Sequence, residues 1–263
     1  MAGWTTGAVF AIAPLVSLAE DRAVLQKSED RARVEQVFRE VNDRIDGLVS
    51  LQYQVERKSV SKGVTMTERW SFACTAEGLM RIDYTAPEKR VFVADGQFFT
   101  EYLPTARKAL RTPLKDANPA GLARVAAVTR RLAVDGLRVG NFEELLDHLT
   151  SFTVPSNEPA IMLVEGRDPR YSVRIDTKRD VLLGFEQWDG KGKRVLSIQS
   201  SNFLEPAPGF WFPARIKTVF QEKGAYAERV TLLSGVKVNG VVPKETFDFV
   251  PPDDVETETS KAD

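Results

Sequence analysis

From Leu48 to Val60 apolar and polar residues alternate, with Val49, Leu51, Tyr53 and Val55 on one side of an extended chain and Ser50, Gln52, Gln54 and Glu56 on the other. A period of two is the signature of a strand with one buried face. After a turn at Ser61-Lys62-Gly63 the alternation resumes over Val64 to Cys74, carrying Met66, Trp70, Phe72 and Cys74, so two long strands open an antiparallel sheet. The stretch from Gly78 to Leu103 then predicts a meander of three short strands, Leu79 to Thr85, Arg90 to Ala94 and Gln97 to Leu103, separated by Ala86-Pro87 and by the hairpin signal Asp95-Gly96. Its apolar residues fall on both faces, Met80, Ile82 and Tyr84 against Leu79, and Phe92 against Val91 and Val93. Each face of the meander therefore needs a cover.

Three stretches have helical spacing. Ser28 followed by Glu29-Asp30 suits a cap and an acidic first turn, and Val34, Val37, Phe38, Val41 and Ile45 make one stripe up to Gly47. Ala120 to Val134 carries Leu122, Val125, Ala126, Thr129 and Leu132 at helical intervals, and Asn141 to Leu149 places Phe142, Leu145, Leu146 and Leu149 on one side behind an Asn cap with Glu144 three residues on. These are candidate helices against the sheet, and the two glycines of the Asp135 to Gly140 link fit either a lid or a plain surface loop. Lys108 to Pro113 is one more strand. From Ala160 the pattern returns to strands: Ala160 to Glu165, Tyr171 to Asp176, Val181 to Trp188, Arg194 to Phe203, Trp211 to Gln221, Tyr226 to Val238 and Glu245 to Val250. Neither a repeat nor a Pro-, Gly- or Ser-rich linker divides the chain.

Arg81-Ile82-Asp83-Tyr84 with Pro87, then Val93-Ala94-Asp95-Gly96 and an aromatic strand, resembles the corresponding segment of the LolA superfamily of periplasmic lipoprotein carriers and their relatives. Phe247-Asp248-Phe249-Val250-Pro251-Pro252 is similar to that family's closing Phe-x-Phe-x-Pro-Pro strand. The resemblance implies an α+β fold: a strongly curved, incompletely closed antiparallel sheet of about eleven strands, a half-barrel whose concave face is covered by helices. It also implies an apolar acyl-chain cavity between the layers. The expected wall is Trp70, Phe72, Met80, Ile82, Tyr84, Phe92 and Phe99. The family has a basic residue on the strand entering the meander that helps to control ligand release, whereas Cys74-Thr75-Ala76-Glu77 has none, and Pro155 to Val242 is longer than the dedicated carrier would have. Arg81, on the face opposite Met80 and Ile82, either pairs with Asp83 or sits at the rim and holds a ligand's polar head.

Composition narrows the partners. The 263 residues are 43% hydrophobic and 28% charged, and 36 basic against 37 acidic residues give a net charge of −1. That balance fits a globular domain and offers no field for nucleic acid. Gly7 to Ala19 is apolar over the length of a signal-peptide core, and Ser17-Leu18-Ala19 suits cleavage, although no Lys or Arg precedes it; an uncleaved anchor or a buried first segment is the alternative. On the export reading residues 1–19 are a signal peptide, 20–253 one domain and 254–263 a flexible acidic tail, and the protein is periplasmic. The single Cys74 makes no internal disulfide.

Catalysis has little support, since the lone His148, the absence of a Gly-rich phosphate loop and the absence of a metal-spaced Cys/His cluster leave no constellation to work with. No cofactor is expected. The sequence points to a monomeric carrier or chaperone of lipoproteins or other acylated molecules, for which the resemblance implies an inner-membrane donor and an outer-membrane acceptor. The other class is a sensor or structural module of the same fold that docks a protein through Trp211-Phe212-Pro213 or Phe98-Phe99.

Overall fold

In the computed structural model, which describes residues 16–114, 137, 139, 142–222 and 225–259, one open, curved sheet dominates. The meander strands are β1 (Ser50–Ser61), β2 (Val64–Thr75), β3 (Met80–Ala86), β4 (Arg90–Ala94), β5 (Phe98–Leu103) and β6 (Lys108–Pro113). A second run holds β7 (Leu149–Thr153), β8 (Ile161–Gly166), β9 (Tyr171–Asp176), β10 (Val181–Trp188), β11 (Arg194–Ala207), β12 (Phe210–Glu222) and β13 (Ala225–Val238), and β14 (Glu256–Thr259) ends the described chain. Their order across the sheet is β14-β6-β5-β4-β3-β2-β1-β13-β12-β11-β10-β9-β8-β7. Two meanders are thus joined side by side through the antiparallel β1–β13 pair, with Val55 opposite Leu233 and Arg57 opposite Thr231.

Among the described residues the sheet has fourteen strands, against about eleven implied by the resemblance. Two strands escaped the sequence pattern. A helix was expected over Asn141 to Leu149, but α2 is only Phe142–Asp147 and β7 begins at Leu149. Glu256–Thr259 lies within the expected tail, yet it pairs in parallel with β6. In the other direction, Glu245 to Val250 is no strand. It contains a 3-10 turn at Lys244–Thr246 and then crosses the sheet's outer face.

Helix α1 runs from Val16 to Asp46, so Ser28 lies inside it and not at its start. The added turns are rich in Ala, Glu, Leu, Gln and Arg, which favour the helical state. Val34, Val37, Phe38 and Val41 are buried in one cluster with Met162, Val164, Tyr171, Val173, Ile175 and Leu182 of β8 to β10. The face that meets α1 is called inner here. Arg31 ties α1 to α2, donating to Leu146 O at 2.8 Å and Asp147 Oδ1 at 2.9 Å, and Arg44 donates to Asp180 O at 2.9 Å and to Trp211 O. The helix expected at Ala120 to Val134 lies outside the described residues, as does most of the 135–140 link. Within that link Val139 is held by α1: Asn42 Nδ2 donates to its carbonyl at 3.1 Å and its N–H to Asn42 Oδ1 at 2.9 Å.

The outer face of the meander has its own cover. Phe247 is buried with Ala73 and Val93, and Leu79, Val91, Val242 and Phe249 pack around them. Both faces of a strand apolar on two sides are therefore kept from water, as the pattern required.

Candidate functional site

Alternation along β1 to β5 sends every second side chain to the inner face. Register makes these neighbours: Val55 stands opposite Trp70, Trp70 opposite Tyr84, Phe72 opposite Ile82, Ile82 opposite Phe92, and Ala94 opposite Phe99. The seven residues expected to line a cavity are thereby brought together. Trp70, Met80, Ile82, Phe92 and Phe99 are buried in one cluster, and Phe72 and Tyr84 pack against it. Ile82 and Phe99 have no exposed surface, so in this form the wall is closed by packing.

The aromatic members form two chains. Trp70 stacks on Tyr84 with centroids 5.2 Å apart, Tyr84 meets Phe92 edge-on at 6.2 Å, and Phe92 stacks on Phe99 at 6.2 Å. Phe72 stacks on Tyr53 at 4.8 Å, and Tyr53 lies 6.0 Å from Phe212. Such offset and edge contacts add to the area that the rings bury. Burial pushes the Tyr53 phenol well above the usual tyrosine range. It raises the Cys74 thiol too, against a hydrogen bond at Leu51 that opposes the shift. Chemically the surface is suited to alkyl chains. By contrast, a groove of about 560 Å³ on the sheet from β8 to β12 is mixed, with Arg174, Glu186, Gln199 and Arg215 in its wall beside Leu163, Leu183 and Ile198.

Arg81 is placed elsewhere. On the outer face, it donates from Nε to Asp83 Oδ2 at 2.8 Å, from Nη2 to Asp83 Oδ1 at 3.0 Å and from Nη1 to Thr246 O at 3.0 Å. Its donors reach its own strand and the C-terminal segment, on the side away from the aromatic chains. Of the two runs expected as an exposed dock, Phe212 and Phe99 are fully buried, whereas Trp211 and Phe98 are half-buried.

One inner-face residue was missed. Arg57 continues the series Leu51, Tyr53, Val55 and is only 4% exposed, with its guanidinium carbon 4.7 Å from the Trp70 ring centroid. The period of two over β1, carried one step past Val55, was the signal; the positive charge argued against using it. Among the described residues no cluster of three or more His, Cys, Asp or Glu side chains is placed to hold a metal, and no helix is long and apolar enough to cross a membrane.

No family model matches the chain, and no curated protein matches it in sequence. Solved structures do. A LolA superfamily protein from Nitrosomonas europaea matches with a TM-score of 0.48 at 13% identity, over 82% of this chain and 97% of that one. A DUF1329 family protein from Desulfovibrio piger gives 0.49 at 13% identity, over 86% and 97%. An outer membrane lipoprotein-sorting protein domain from Vibrio parahaemolyticus gives 0.48 at 10% identity, over 84% and 97%. The LolA superfamily is also the one that the sequence motifs resemble.

Proposed function

We propose that the protein is a carrier or chaperone for lipoproteins or other acylated molecules, working in the periplasm after export through the segment Gly7 to Ala19. The observation that carries this reading is the continuous apolar inner face of β1 to β5, on which Trp70, Tyr84, Phe92 and Phe99 touch in sequence across four strands. An acyl chain of some sixteen carbons laid along it gains on the order of 12 kcal/mol from burial before ordering costs. A carrier has to release its cargo, and the self-packing of Ile82 and Phe99 supplies the opposing term: opening the face separates contacts that the ligand must replace.

The test is uptake of a fluorescent fatty acid by delipidated protein. Phe72→Glu and Ile82→Glu should abolish uptake, while Lys89→Glu at an exposed turn should leave it unchanged. Native mass spectrometry of protein from its own host should then show a co-purifying acylated species. Parent protein that neither takes up the probe nor co-purifies with an acyl group would overturn the assignment.

A further inference from the structure

The β1–β2 hairpin projects from the sheet. β3 pairs with β2 only from Arg69 onwards, with Arg69 opposite Ala86, so Val64 to Glu68 run on past it, a projection on the order of 15 Å at the ordinary rise of a strand. On the other side β13 accompanies β1 to its end, with Val60 opposite Glu228 and Ser61 opposite Ala227. The β10–β11 turn is fastened to the start of β13, where Tyr226 donates to Arg194 O at 3.0 Å and Lys193 Nζ lies 5.0 Å from the Tyr226 ring centroid. The β1–β2 tip, the start of β13 and the β10–β11 turn thus form one projecting edge.

This edge carries apolar side chains in water. Val64 is 69% exposed, Tyr226 50%, Met66 45% and Val60 38%. Alternation puts Val64 and Met66 on the side of Trp70, and Val60 and Tyr226 on the opposite side. Isolated apolar side chains on a surface are ordinary, but a group of them on one projection marks an interaction site. Around them stand the exposed cations Lys58, Lys62, Lys191 and Lys193. The nearby carboxylates are engaged: Glu56 pairs with Arg69 and Glu228 with Lys217, each at 2.8 Å, Asp189 accepts the N–H groups of Lys191 and Lys193 within its own turn, and Glu68 is half-buried. A rigid protein partner would meet one side of so thin a wedge. The interface of a bilayer surrounds both sides, takes apolar and Tyr side chains among its head-groups and leaves lysines at the level of the phosphates, and a cationic edge suits an anionic one.

We infer that this edge is a docking surface for an anionic phospholipid bilayer, with Val60, Val64, Met66 and Tyr226 entering the interfacial layer and the lysines facing the lipid phosphates. The inference goes beyond the carrier reading and does not depend on what the inner face holds.

Flotation of the full chain with vesicles of phosphatidylcholine alone, and of phosphatidylcholine with phosphatidylglycerol, tests it. The parent should float with the anionic vesicles, stay behind with the neutral ones and come off as salt is raised, because screening weakens its attraction to the lipid phosphates. Val64→Asp and Met66→Asp should each lower the partition coefficient about tenfold or more, and Lys62→Gln should lower it about fivefold. Val241→Asp, at an exposed position beyond the far end of β13, should leave it unchanged. All these positions are exposed, so the variants keep their fold and their uptake of fatty acid, which separates a failure here from a failure of the carrier reading. Parent protein that ignores anionic vesicles, equal binding to both kinds, or binding that survives Val64→Asp and Met66→Asp overturns the inference. So does a dimer that either variant dissociates, since the edge would then be covered by a second copy of the chain.

Discussion

Tyr171 shows how closely single positions are determined. Its ring lies over Gly166, where an added Cβ would come within 2.0 Å of the ring and 2.6 Å of His148 O, and its hydroxyl donates to Leu145 O. A glycine that looks like ordinary turn punctuation is thus the floor of an aromatic slot. Gly166→Ala should destabilise the protein by about 1–3 kcal/mol, read from urea midpoints, because backbone and ring cannot both stay in place. Burial raises the Tyr171 phenol from its ordinary value near 10 to about 12, with Arg31 opposing the shift. A raised folded-state pKa means full stability below pH 10 and loss as pH climbs from 10 towards 12, because there the unfolded chain ionises first. Thermal melts of parent and Tyr171→Phe across that window should converge as pH rises; parallel curves would show that the hydroxyl does not govern the alkaline loss. At this scale the sequence told which side chains share a face but not where a charge joins them. Arg57 was passed over because a cation in an apolar series is ordinarily read as a change of face, and only a neighbouring ring such as Trp70 makes its burial intelligible.

Among the elements, the segment from Asn239 to Thr259 departs most from expectation. Phe247 and Phe249 have the spacing of a strand, and a strand was predicted there. A segment lying flat across a sheet also turns alternate residues towards it, so period two alone does not tell pairing from packing. Phe247 is fully buried over Ala73 and Val93, Phe249 meets Tyr102 at 5.5 Å, and Arg81 joins the strap to β3 through Thr246 O. Replacing Arg81 by Leu should loosen the strap, costing about 1 kcal/mol at this partly exposed ion pair. Faster proteolysis after residue 239 with unchanged fatty-acid affinity is the expected result, whereas loss of affinity would return Arg81 to the binding site. Strands β1 to β6 were legible because their alternation is uninterrupted between clear turns. By contrast β7 was hidden, since Leu149 and Phe152 extend the spacing of α2 and nothing in Leu149-Thr150-Ser151-Phe152-Thr153 marks where a helix must stop.

For the molecule as a whole, what the sequence withheld was order. Each meander could be read locally, but their junction pairs the first strand, β1, with β13, the last but one of the described strands, and no local signal announces such a pairing. A chain ending at Glu222 lacks β13 and should leave β1 with an open edge, prone to pairing with other chains. Light scattering and exchange of the β1 amides should show it aggregating or exchanging rapidly there, while a soluble, protected β1 would mean that the first meander stands alone.

The same junction has a temporal consequence. Strands synthesised or translocated from the N-terminus arrive in order, and β2 to β6 can pair as they emerge, each with its predecessor. β1 has only one of its two partners until almost the entire polypeptide has been delivered, so the middle of the sheet is among the last parts to be completed. Long-range pairings of this kind are slow, and the waiting edge is vulnerable. The apolar inner positions of β1, Leu51, Tyr53 and Val55, are therefore the ones that a nascent chain exposes longest, and any helper that attends its maturation has that strand as its natural substrate.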